Sequence, residues 1–178
     1  MKLIRIFIFA LGGISTVSAH PVPDIPVHST FSGETVSIEV MIDPRSFTDD
    51  PKGEPYMHFS ELGFKDETEI RALKAQGQDL INRTIIFQFG PERRVKPTFK
   101  FAFTGLENSE LKQDTDPVIL IGVAKVDVPD GVSVYQIAAD ENGELSLIFE
   151  NTLAGRKVER YMVLFPGEKS FELDISQR

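Results

Sequence analysis

Polar and apolar residues alternate through most of this chain. In TVSIEVMI (35–42), Val36, Ile38, Val40 and Ile42 fall on one face of an extended strand. IIFQF (85–89) and PTFKFAF (97–103) repeat the pattern, the latter with Phe99, Phe101 and Phe103. VILIGVAKVDV (118–128) is almost continuously apolar and reads as a central strand. VSVYQIAA (132–139) and LSLIFE (145–150) flank DENG, while KVERYMVLF (157–165) and SFELDIS (170–176) flank PGEK. The separators are turn chemistry. Asn142-Gly143 predicts a tight hairpin in which both residues take positive φ. Pro166-Gly167 predicts a turn with φ preset by proline and reversed by glycine, and Gly155 marks another. The spacing predicts roughly eight or nine strands, that of a sandwich or barrel.

One segment departs from the period of two. In KDETEIRALKAQGQDLINRT (65–84), Ile70, Leu73, Leu80 and Ile81 recur at helical spacing as one narrow stripe. Asp66 followed by Glu69 predicts a capping box, and the acidic first turn suits the helix dipole. Gly77 weakens the middle. A helix near residues 66–82 is therefore expected to close one end of the β structure. The fold expected is all-β: an immunoglobulin-like antiparallel β-sandwich with one inserted helix.

Residues 1–19 read as an export signal. MKLIR supplies a basic start, IFIFALGG an apolar stretch, and Val17-Ser18-Ala19 the small residues of a cleavage site. The run is too short for a spanning helix, which needs roughly 20 apolar residues. The expected organisation is a signal peptide over 1–19 and a single domain over 20–178, periplasmic or secreted, with no later membrane span. Loss of Lys2 and Arg5 with the signal takes the formal net charge from −8 to −10. Such a chain repels phosphate backbones, so nucleic acid is not an expected partner. With no cysteine, stability comes from packing rather than disulfides.

Candidate chemistry centres on the three histidines, His20, His28 and His58. Cleavage after Ala19 makes His20 the first residue, with a free amine and an imidazole as two nitrogen ligands. His20 and His28 do not form a local chelate, because eight extended residues span roughly 26 Å. Pro21, Pro23 and Pro26 forbid the helix that would align them. Any site joining His20 to His28 or His58 must be assembled by the fold. Pro21 has no N–H to deprotonate, so a brace of amine and imidazole with a further histidine is the arrangement left open. Three nitrogens suit copper, with nickel second. An N-terminal histidine on a β fold resembles copper-dependent polysaccharide monooxygenases and periplasmic copper carriers, although their other motifs have no match here.

Other constellations are less specific. FTDDPKGEPYMHF (47–59) gathers Asp49, Asp50 and Glu54 without EF-hand spacing and reads as a solvated acidic loop. GPERRVKP (90–97) groups Arg93, Arg94 and Lys96 at a hairpin tip. The Asn82 sequon is read as chance. G-x-S-x-G, H-E-x-x-H, P-loop and G-x-G-x-x-G patterns do not occur, and no catalytic residue is assigned.

AHPVPDIPV, GETVSIEVMID and VLFPGEKSFELDI together resemble the extracytoplasmic N-terminal region of HupE/UreJ-type membrane proteins. Those proteins commonly begin their mature chain with Ala-His followed by a β-rich domain. Their membrane part is associated with hydrogenase and urease accessory functions, and by implication with nickel. The multi-helix membrane part has no counterpart in this sequence, and only His20 matches the recurring start. The resemblance implies an exported β-domain working beside a membrane, metal-transport partner. The expected role is a non-enzymatic binding or accessory module with a protein or envelope partner. The alternative is a copper- or nickel-binding protein, or a copper oxidase, using His20 as first ligand. A hydrolase with paired loop carboxylates is a third reading.

Overall fold

The computed structural model describes residues 24–51, 53–160 and 162–178. The expected signal peptide and His20 lie outside the described residues. The described residues are mostly β, with two sheets and one long helix. The larger sheet contains β1 (Ile25–Ser32), β2 (Thr35–Ile42), β5 (Lys100–Thr104), β6 (Ile119–Asp127), β8 (Leu147–Leu153), β9 (Arg156–Lys157) and β10 (Met162–Leu164). Its order is β10-β8-β1-β2-β6-β5, with β9 paired to β8. The smaller sheet is β11-β7-β3-β4, from β3 (Ile85–Phe89), β4 (Arg93–Val95), β7 (Val134–Ala139) and β11 (Leu173–Asp174).

The alternation read from sequence assigns the faces. Val36, Ile38, Val40 and Ile42 of β2 are all buried and face the core with Val27 and Phe31 of β1, Leu120 of β6 and Phe149 of β8. The smaller sheet adds Phe87, Phe89, Tyr135 and Ile137 to the same core. Phe31 meets Tyr135 edge-on with centroids 5.0 Å apart. Across that gap Ser29 Oγ and Tyr135 Oη hydrogen-bond at 2.9 Å. Burial pushes the Tyr135 phenol well above its ordinary range, with the bond to Ser29 acting the other way. The hydroxyl stays protonated and available to the pair.

The long helix, α2 (Glu67–Thr84), follows a five-residue helix α1 (Phe59–Gly63). Asp66 caps α2, accepting from the Thr68 and Glu69 backbone N–H groups, while Glu69 returns a bond to the Asp66 N–H. The buried stripe ends in Gly77, Leu80, Ile81 and Thr84. Gly77 has a packing reason that its low helix propensity hides. A Cβ there would stand 2.6 Å from Leu120 Cδ2 and 3.1 Å from Phe101 Cε1. The absent side chain lets the helix lie close on β5 and β6.

Two expectations change, while the proline-rich start, already expected to be extended, contributes β1, an interior strand of the larger sheet. Its ladder with β2 begins at Val27, one residue after Pro26, so the missing proline N–H removes no bond from it. β1 and β8 pair in parallel, with His28 opposite Glu150, so the larger sheet is not wholly antiparallel. Asn142-Gly143 does not form the expected tight hairpin, and neither residue has positive φ. The strands it joins, β7 and β8, belong to different sheets, and the Asp140 carboxylate accepts the Asn142 N–H instead. Tight two-residue turns form instead at Gly33-Glu34, between Ser32 and Thr35 of β1 and β2, and at Ala154-Gly155, at φ 48° and 73°, between Leu153 and Arg156 of β8 and β9. Gly167 takes φ 85° after Pro166, as expected.

Candidate binding groove

On the outer face of the larger sheet, β1 and β2 turn Pro26, His28, Glu39 and Met41 away from the core. These residues and Ile119 of β6 floor a groove of about 730 Å³, within the range of roughly 300–1,000 Å³ typical of ligand sites. Asp24 lies at one end, where the chain joins the sheet through the Ile25 N–H on Ser146 O at 2.9 Å.

The walls come from two loops. After β2, Asp43 caps a single 3-10 turn over Pro44–Phe47. Its carboxylate accepts from the Arg45 backbone N–H at 2.9 Å, from Nε at 2.9 Å and from Nη2 at 2.6 Å. Both side chains are more than nine-tenths buried. The hydrogen bonds it donates to Asp43 push the Arg45 guanidinium above its already high ordinary value. This fixed cation stacks on Tyr56, with Cζ 3.7 Å from the ring centroid, and so sets the first wall.

A second wall is Leu106, Glu107 and Asn108. Thr104 at the end of β5 pins this loop by donating from Oγ1 to Ser109 O at 2.6 Å, and the Gly105 N–H joins the same oxygen at 2.8 Å. Glu107 and Asn108 both adopt left-handed backbone, at φ 54° and 60°. Such conformations in non-glycine residues cost energy and cluster at ligand-contacting loops.

The charge balance is one-sided. Asp43 neutralises Arg45. Asp24, Glu39 and Glu107 also line the groove, and among the described residues none has a lysine or arginine within ion-pair distance. Apolar floor, one aromatic wall and three such carboxylates suit a ligand that is partly apolar and cationic.

Of the expected metal ligands, His28 lines this groove and His20 lies outside the described residues. The His28 Nδ1 is 3.9 Å from Glu39 Oε1, and its Nε2 is 3.9 Å from Glu150 Oε2. The two carboxylates therefore sit on opposite sides of the ring and do not converge with it on one ion. Glu150 is held in turn by Lys157 Nζ at 2.6 Å. His58 precedes α1, where its backbone N–H donates to Glu61 and its Nδ1 donates to Thr115 O at 2.8 Å. It is not among the groove-lining residues. Among the described residues no group of three or more His, Cys, Asp or Glu is placed to hold a metal. Asp49 instead lines a second, more polar cavity with Arg83 and Asn142.

Sequence reading did not find Asp43, Arg45, Tyr56 or the Leu106–Asn108 loop. One local signal was present, an Asp-Pro pair directly after a strand, which favours a capped turn. The fold and groove define a two-sheet β protein with a walled groove on the outside of its larger sheet. No model of a known protein family matches this chain, and no curated protein matches it. No helix of the described residues is long and apolar enough to cross a membrane.

Proposed function

We propose that this chain is a non-enzymatic binding module of the cell envelope, exported by residues 1–19. Its ligand is a cationic, proline-containing extended peptide segment of an envelope partner. The groove lined by Tyr56 and Leu106 is the observation that carries this reading. Proline-rich segments suit aromatic-lined grooves because they are already extended and lack N–H donors that docking would strand. The carboxylates of Asp24, Glu39 and Glu107 supply the charge preference. The two sheets are read as the layers of an immunoglobulin-like sandwich, supported by the single core they share. The resemblance to HupE/UreJ-type proteins favours a membrane protein as the partner.

Met41 provides the test, since its side chain lies in the groove. The protein is labelled at its methionine methyl carbons and titrated with a hexapeptide amide of prolines, valines and two arginines. The expected result is a saturable shift of the Met41 signal, with Met162 on β10 unmoved. A peptide carrying glutamates in place of the arginines is expected to leave Met41 unchanged. Equal response to both peptides, or to neither, overturns the reading.

A second reading is favoured by one placement. His28 lies in a groove that ends at Asp24, four residues after His20. Neutral imidazole and a terminal amine are ligands for copper or nickel, and an ion there requires His20, because His28, Glu39 and Glu150 do not converge. Calorimetric titration of Cu(II), then Ni(II), into protein beginning at His20 tests it. One-to-one binding that is lost when an extra alanine precedes His20 supports the metal site. Binding unchanged by that alanine removes it.

A further inference from the structure

We propose that the groove continues as an apolar strip across the larger sheet to β10, and that the partner segment changes character along its length: cationic over the groove, then apolar until it ends on Val163. The inference rests on the groove being a peptide site.

The strand register builds the strip. Val27 faces Val40, which places Pro26 beside Met41. Pro26 pairs with Ile148 of β8, and Ile148 with Val163 of β10. Their neighbours Leu147, Phe149 and Leu164 belong to the core, so Ile148 and Val163 share the outer face with Pro26 and Met41. The row Met41, Pro26, Ile148, Val163 is entirely apolar. It crosses three strand spacings, about 14 Å in all, the length of four to five polyproline II residues at about 3.1 Å each.

Exposure follows the same row. Tyr56 and Leu106, both exposed, wall the groove at one end. Val163 is 37 % exposed at the other end, on the strand that closes the sheet, and the 60 % exposed Phe165 follows directly after it. Apolar side chains left open in a line from a walled groove to a sheet edge mark an interaction surface rather than scattered exposure.

Charge decides which part of the ligand is cationic. Beside the apolar row runs a second row of Glu39, His28 and Glu150. Glu150 is held by Lys157 Nζ at 2.6 Å. Among the described residues, Glu39, Asp24 and Glu107 have no lysine or arginine within ion-pair distance. The unpaired carboxylates thus collect at the groove end, while the carboxylate near β10 is already neutralised. Further cations gain little beyond Pro26, whereas apolar residues there bury surface against Ile148 and Val163.

The experiment labels methionine and valine methyl carbons and compares the arginine-containing hexapeptide with two nonapeptides. Each nonapeptide adds Pro-Val-Pro, one at the amino end and one at the carboxyl end. The hexapeptide is expected to move Met41 and leave Val163 in place. One of the nonapeptides is expected to move both and to bind about tenfold tighter, the gain from burying roughly 55 Å² of further apolar surface. Val163→Ser is expected to cancel that gain while binding the hexapeptide as the parent does, and Ser-Ser-Ser in place of the added Pro-Val-Pro is expected to give no gain. A Met41 shift with the hexapeptide, but no Val163 shift and no gain with either nonapeptide, overturns the strip and leaves the groove reading standing. A Val163 position that changes with protein concentration alone assigns the strip to a second copy of the chain and overturns the proposal. A Met41 signal that no peptide moves overturns both readings.

Discussion

Replacing Asp43 with asparagine tests the walls of the groove and the core edge beneath them at once. The Asp43 carboxylate takes three donors, all from Arg45, and both side chains are at or below 8 % exposure. Asparagine keeps an oxygen for the Arg45 backbone N–H but turns an amide donor toward the guanidinium. Arg45 remains charged even without Asp43, because a guanidinium does not lose its proton in proteins. The substitution therefore leaves a buried cation without an acceptor, which costs about 3–5 kcal/mol in sites closed to water. Arg45 also lines the groove, where water reaches part of it, so the lower end, about 3 kcal/mol, is expected. For a domain of this size that corresponds to a fall in Tm of about 6–12 °C. Urea and thermal unfolding followed by far-ultraviolet circular dichroism read both quantities. Adding Arg45→Met removes the stranded charge and is expected to restore more than 1 kcal/mol, giving a coupling of the size seen for contacting groups. A loss below 1 kcal/mol in the single variant, or strict additivity in the pair, would refute the reasoning. The single variant is also expected to lose the peptide-induced shift at Met41, because the Tyr56 wall stands on Arg45.

Three further predictions follow from the same packing. Gly77→Ala should destabilise the protein by about 1–2 kcal/mol, because overpacking against the fully buried Leu120 outweighs a helix-propensity gain of about 1 kcal/mol; a stabilised variant in urea unfolding would contradict the close approach of α2. Tyr135→Phe should cost about 1–3 kcal/mol by stranding the Ser29 hydroxyl, and Ser29→Ala should recover part of that loss only when Tyr135 is already phenylalanine. The Asp116 pKa is lowered chiefly by the Gln113 and Lys112 backbone N–H groups. Its contribution to stability is therefore full above the unfolded value of 3.8 and lost as pH falls through the lower folded value. Asp116→Asn should flatten the acid limb of the stability curve below that point; an unchanged limb counts against it.

The period of two located most of the strands, and the Asp66–Glu69 spacing placed the start of α2 to the residue. These features are local: a cap is made within four residues, and a strand's burial pattern follows from which face meets the core. The misses have one physical origin, since each depends on what lies opposite in space. Nothing local to residues 25–32 announces that β1 pairs in parallel with β8, which only the register reveals. Asn142-Gly143 has hairpin chemistry, yet the strands beside it part into different sheets. The 157–165 run divides because Arg156–Lys157 and Met162–Leu164 pair separately with β8.

The groove was less legible than the fold, but it left one trace. VILIGVAKVDV (118–128) reads as a central strand because its apolar residues run almost without a break. The inner face of β6 is explained by Leu120 and Gly122, which lie beside Ile42 and Val40 of the core. The outer face is not, for nothing in a two-layer β protein requires Ile119 and Ile121 to be apolar where the sheet meets solvent. Both are nevertheless only 7 % exposed. Ile121 stands between Met41 and Ala102 in the ladder and Ile119 beside Thr104, the residue that pins the Leu106 loop. Ile119 is thus apolar where the sheet's outer surface carries walls of its own. An unbroken apolar run in a sheet with an open face is therefore a sequence signal for a covered surface. Its occupant is read from the charges around it, which here are the carboxylates of Asp24, Glu39 and Glu107.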